Sequence, residues 1–135
     1  MNDPMSYDVT LNLTHDDAIE LVTDELKKEG FGVLTRIDVH EAFKEKLGKE
    51  FRNYTILGAC NPALALQALT ARPEVGLLLP CNVTVESTDA GATLVRLVNP
   101  HEMLDMPGLG GDETLRGVAN DADAGLRRVA QALGG

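Results

Sequence analysis

Two cysteines are the side chains of this sequence best suited to nucleophilic or ligand chemistry. Their settings are alike: Gly58-Ala59-Cys60-Asn61-Pro62 and Leu79-Pro80-Cys81-Asn82-Val83. They stand 81 − 60 = 21 positions apart, which fits neither a C-x-x-C redox pair nor a zinc pair. Asn61-Pro62 reads as an N-cap followed by proline at the first helical position. Cys60 therefore sits just ahead of a helix N-terminus, where unpaired N–H groups and the helix dipole would lower a thiol pKa. The competing reading is that both cysteines are small buried hydrophobes. It is stronger for Cys81, which falls on the apolar side of an alternating strand pattern. We expect two reduced, mostly buried thiols and no disulfide.

The histidines offer less. His40-Glu41 and His101-Glu102 look alike, but neither belongs to an H-E-x-x-H signature. His15 and His40 fall near helix starts. His101 lies in a long loop and is the one imidazole free to act as a base. Met103 and Met106 with a cysteine would make a soft copper(I) set, against the commoner reading of methionines that pack a loop onto the core. Gly108-Leu109-Gly110-Gly111 precedes a helix as a phosphate loop does. Asp112 and Glu113 occupy the helix end that phosphate would need, and no lysine follows. We expect no metal site, and no pattern identifies a cofactor.

The elements that must hold these residues are readable. Val9, Leu11 and Leu13 alternate with polar residues, predicting a strand from about Tyr7 to Leu13. Thr14 caps a helix that ends at Gly30. A second strand follows, with Phe31, Val33, Ile37 and Val39 on one face. A short helix covers about His40 to Leu47. Phe51–Cys60 reads as the third strand, and Ala63–Ala71 as a helix so rich in alanine and leucine that it should be well buried. Val75, Leu77, Leu79, Cys81, Val83 and Val85 predict a strand over Val75–Glu86, with Pro80 marking an edge or bulge. Asp89-Ala90-Gly91 turns into a fifth strand, Thr93–Val98. A loop from Asn99 to about Gly111 leads to a final helix, Glu113–Leu133. Tyr54, Ile56 and Cys60 share one parity and are expected to point inward. The order β-α-β-α-β-α-β-β-α, with strands of one apolar and one polar face, predicts an α+β two-layer sandwich: a largely antiparallel sheet with helices on one face. The less covered face or an edge is then a place to self-associate.

At 135 residues with 44% hydrophobic and 24% charged residues, the chain suits one domain over positions 1–135. Its net charge of −9 and pI of about 4.7 would repel phosphate backbones, so neither nucleic acid nor an anionic membrane is an expected partner. No apolar run approaches the ~18–20 residues of a membrane span. With no secretory signal at its start and two unpaired cysteines, a reducing, cytoplasmic setting is expected.

Phe51-Arg52-Asn53-Tyr54-Thr55-Ile56-Leu57-Gly58-Ala59-Cys60-Asn61-Pro62, then Ala68-Leu69, then Gly76-Leu77-Leu78-Leu79-Pro80-Cys81-Asn82-Val83 resembles the bacterial and archaeal family named domain of unknown function 302. The resemblance runs from about Tyr7 to Leu133. It implies a small α+β fold similar to the TATA-binding-protein architecture, and a homodimer. It implies no activity, and the likeness to a DNA-binding fold carries no function.

Three functions follow. The first is a homodimeric, non-catalytic binding module with a thiol-bearing site at Cys60 and Cys81. Asn61, Asn82, Tyr54 and His101 are further candidates, and the ligand would be a small molecule, a sulfur species or a soft metal. The second is a purely structural or interaction domain with core cysteines. The third is a thiol-dependent enzyme with Cys60 as nucleophile, which needs a base within hydrogen-bond reach; His101 is the candidate.

Overall fold

In the computed structural model, residues 4–104, 108–109 and 111–135 are described. Five strands form one sheet: β1 (Ser6–Leu11), β2 (Gly32–Asp38), β3 (Tyr54–Cys60), β4 (Cys81–Ser87) and β5 (Thr93–Val98). Their spatial order is β1-β5-β4-β3-β2, and all four pairings are antiparallel. The helices are α1 (His15–Lys28), α2 (Val39–Leu47), α3 (Pro62–Ala71), a short α4 (Pro100–Met103) and α5 (Glu113–Leu133), with a 3-10 turn at Pro73–Leu78. The predicted α+β sandwich is the fold that forms.

Local chemistry explains the boundaries. Thr14 accepts the Asp17 N–H at 3.2 Å and starts α1. Gly30, at φ +84°, takes the left-handed turn that leads from α1 toward β2. In α5, Leu115, Val118, Ala122, Leu126, Val129 and Leu133 recur at helical spacing and are all buried. Together with α1, the side chains of Ala122, Leu126, Val129 and Leu133 cover one sheet face, closing over Val9, Leu57, Val83, Val85, Val95 and Leu97. A second apolar cluster joins Ala68 of α3, Val75 of the 3-10 turn, Leu104, Leu109, and Leu115, Val118 and Ala119 of α5.

Among the described residues, no helix covers the other sheet face as α1 and α5 cover the first. One cross-sheet row there runs Ile37, Ile56, Thr84, Arg96, Asp8 through direct register partners. In the next row Glu86 is buried, gripped by Arg52 at 2.7 Å and by Arg96. Burial pushes its carboxyl up, but the two guanidiniums outweigh that and hold it below its ordinary value. Among the described residues no helix is long and apolar enough to cross a membrane.

Several expectations need correction. The pattern over Val75–Leu79 is not strand: Val75 is buried within a 3-10 turn, while Leu77 is 89% exposed. Pro73 and Pro80 bracket this stretch and lack the N–H donors a ladder needs. The strand begins only at Cys81, in the middle of the sheet. In α3 only Ala68 is buried, and Leu66 is 68% exposed, so an apolar composition did not make a buried helix. Parity is inverted in β3 and breaks part-way along β2, where Phe31 and Val33 do face the core. Leu57 and Ala59 enter the core, whereas Tyr54 and Ile56 lie half-buried on the open side. In β2 a register shift between Val33 and Thr35 breaks the alternation, and Ile37 is left 52% exposed. Within the predicted loop, Met106, Pro107 and Gly110 lie outside the described residues.

Candidate functional site

The segment that leaves β3 at Cys60 returns into β4 at Cys81, and Ala59 is the direct register partner of Cys81. Departure and return are thus at the same end of the sheet, so two strands joined through a helix are antiparallel neighbours. Between them α3 and the 3-10 turn arch back against α5. Asn61 starts the arch, its Oδ1 accepting the Leu64 N–H at 3.2 Å.

Under this arch is a cavity of about 350 Å³. Leu64, Ala65, Ala68 and Leu69 of α3 roof it, with Val75 and Leu79 beside them. Val118 and Ala122 of α5 and Phe31 wall it, and Thr35, Ala59, Cys60, Asn61, Pro80 and Cys81 close the sheet end. None of the described lining residues carries a charge, and among them only the two thiols titrate. Both cysteines are free, Cys81 buried and Cys60 half-buried. The lowered thiol pKa expected at Cys60 is not found. Burial pushes the Cys60 thiol up, and burial, with Cys60 adding to it, pushes Cys81 up to about 11.

Of the six candidate residues, three meet in this cavity: Cys60, Asn61 and Cys81. The other three lie elsewhere. Asn82 is exposed in β4 and pairs with Gly58. Tyr54 stands at the opposite end of β3, its ring 6.3 Å from that of Phe51, its N–H donating to His40 Nδ1 at 3.0 Å. His101 approaches Asp123 at 3.9 Å. Asp123 also takes the Tyr7 hydroxyl and Arg127 Nε at 2.8 Å, and burial, then Asp123, pushes the Tyr7 phenol up to about 12. Of the methionines in the copper(I) set, Met103 packs on the second cluster and Met106 is outside the described residues.

A second polar group went unread in the sequence. The Thr55 hydroxyl donates to Asp38 Oδ1 at 2.7 Å and lies 2.8 Å from His15 Nε2. Its one proton is committed to Asp38, so His15 Nε2–H must donate to Thr55. His15 Nδ1 is then a buried lone pair with no partner among the described residues, and the His40 ring is 5.9 Å away. Burial, and then His40, push the His15 pKa below its ordinary value. Because the folded pKa lies below the unfolded ~6.5, the stability from neutral His15 is complete above that value. It is lost as pH falls from there toward the folded pKa. Urea midpoints should therefore drop on going from pH 7 to pH 5.5, and the drop should be shallower in His15→Gln. Equal slopes in the two proteins would assign the effect to other groups.

Residues 7–133 match the family described as domain of unknown function DUF302. A crystal structure of an uncharacterized conserved DUF302 protein from Bacillus stearothermophilus is similar at a TM-score of 0.83 and 31% identity, over 96% of this chain and 98% of that one. No curated protein matches the chain. The matched span takes in the whole sheet, the arch and both cysteines, and on that extent the chain belongs to the DUF302 family.

Proposed function

We propose that the chain is a binding module whose ligand is a small, largely apolar molecule held in the cavity under the arch, with Cys60 and Cys81 at its sheet end. The observation that carries this is the cavity's composition: about 350 Å³, open on one side and lined by apolar side chains, two thiols, one amide and one hydroxyl. Such a volume lies at the small end of ligand pockets. At ~30 Å³ per atom-sized unit it holds on the order of a dozen non-hydrogen atoms. Burial pushes both thiols up, which works against thiolate attack at neutral pH. A Cys60 nucleophile would need a base, and His101, paired with Asp123, is not among the lining residues.

Ethylnaphthalene, an uncharged hydrocarbon of suitable size, should bind the purified protein with a 1:1 stoichiometry by calorimetry. Ala65→Phe, which fills the cavity from a half-buried position on α3, should abolish that binding while leaving the fold intact by circular dichroism. Equal binding in both proteins would refute the site.

We further propose that two copies pair through the helix-free sheet face. A two-fold interface must be self-complementary, and the adjacent Asp8 and Arg96, beside Ile56 and Ile37, supply both signs and apolar area. Native mass spectrometry of the same sample reads the outcome: a dimer supports pairing, a monomer refutes it.

A further inference from the structure

The residues that line the cavity divide by exposure. Phe31, Ala59, Ala68 and Val75 are buried and make its closed part. Leu34 is 68% and Leu69 40% exposed, although both line the same space. Thr35 and Gly76, also lining residues, are exposed as well. The mouth therefore lies between β2, an edge strand, and the arch, with a leucine on each lip. Apolar surface continues along the arch side. Leu77 follows Gly76 and is almost wholly exposed, and Leu66, one turn before Leu69 on α3, is largely exposed too. A single exposed leucine is ordinary, but leucines on both lips carry the apolar lining of the cavity out into solvent. No described lining residue carries a charge, so a charged or strongly polar group is held only outside the lips.

We infer that the cavity takes the hydrocarbon tail of a single-chain amphiphile, whose outer methylenes cross the leucine lips and whose polar head stays in water. This rests on the cavity being the binding site. A compact ligand that ends inside the cavity leaves both lips hydrated. A chain that runs on over them removes more apolar surface from water, at about fourfold in affinity for each methylene wholly buried.

Alkyl maltosides test this, because their disaccharide head has more non-hydrogen atoms than the cavity holds and must stay outside. The octyl, decyl and dodecyl compounds are titrated calorimetrically at pH 7, below their micelle concentrations. They should bind 1:1 and tighten roughly two- to fourfold with each added methylene, and dodecyl maltoside should displace ethylnaphthalene. Leu34→Asp, at an exposed position on the β2 lip, should weaken dodecyl maltoside at least about fivefold and ethylnaphthalene less than about twofold. Should Leu34→Asp not fold, Leu69→Gln makes the same test on the arch lip. Three results overturn the inference and leave the cavity reading standing: ethylnaphthalene binding without maltoside binding, affinity independent of chain length, or lip variants that hold dodecyl maltoside as the unchanged protein does. A dimer in native mass spectrometry that Leu34→Asp splits also overturns it, since a second copy would then cover the lips. Failure of ethylnaphthalene and the maltosides alike overturns both.

Discussion

Phe31→Ala should lower the unfolding free energy by about 3–5 kcal/mol, the range for deleting a buried aromatic ring. Phe31 is 2% exposed and belongs to the main core cluster. It follows directly on the Gly30 turn, so its ring anchors the corner between α1 and β2. Its edge rests on α5 at Gly125, where an added Cβ would stand only 2.8 Å from Phe31 Cε2. The contact is backbone against ring, and little can move in to replace it. Natural domains have only about 5–15 kcal/mol in hand, so the variant should be marginal at 37 °C. Urea unfolding followed by circular dichroism measures the change. Phe31→Leu, which retains most of the volume, should lose much less. A loss under about 1.5 kcal/mol for the alanine variant would mean that the arch collapses onto the vacated space. The ring is also a cavity wall, and collapse would then show as lost ethylnaphthalene binding.

Gly58→Val should destabilise by about 2–3 kcal/mol, the upper part of the range for overpacking. Gly58 is a buried residue in the interior of β3, where a β-branched side chain would ordinarily be favoured. Here a Cβ would overlap the Thr35 hydroxyl and come within 2.7 Å of Pro80 Cγ. The threonine lies on the exposed edge strand and can rotate away. The proline is held by its own ring and by β4 next to it, so the clash is relieved only in part. Gly58→Ala should be milder. In a double-mutant cycle, Thr35→Gly should recover some of the loss in Gly58→Val but not all of it. Full recovery would show that Pro80 yields, and no recovery would show that it alone sets the limit.

What was legible in the sequence was whatever depends on near neighbours. Thr14, Asn61 and Gly30 marked helix ends because a cap or a left-handed turn is a matter of a few adjacent atoms. The strands with uninterrupted alternation, β1 and β5, were placed within two residues of their bounds. The 3-10 turn was not legible, since Val75, Leu77 and Leu79 keep period two whether or not a partner strand exists. Nor was the inward face of β3. Tyr54 and Ile56 are as apolar as Leu57 and Ala59, and only the position of α1 and α5 decides between them. For the site, Cys60, Asn61 and Cys81 could be named from chemistry alone. Their meeting required β3 and β4 to be neighbours, which no local pattern encodes. The cavity walls on α5 and the His15–Thr55–Asp38 chain come from elements far apart in sequence, and residue types announce neither.

The arch has a kinetic consequence. Pairing β3 with β4 requires the 80 − 60 = 20 residues after Cys60 to be closed into a loop, whereas β4 and β5 are joined by a short turn. On the logarithmic scaling of closure entropy, a loop of that length is about 1 kcal/mol harder to close than the 92 − 87 = 5 residues between β4 and β5. The β4–β5 hairpin is therefore the cheaper nucleus, and the pairing that completes the cavity comes later, when α3 already has α5 to rest on. Lengthening or loosening the arch, which lies outside that nucleus, would then act mainly on how fast the protein leaves its binding-competent form, and little on how fast it reaches it.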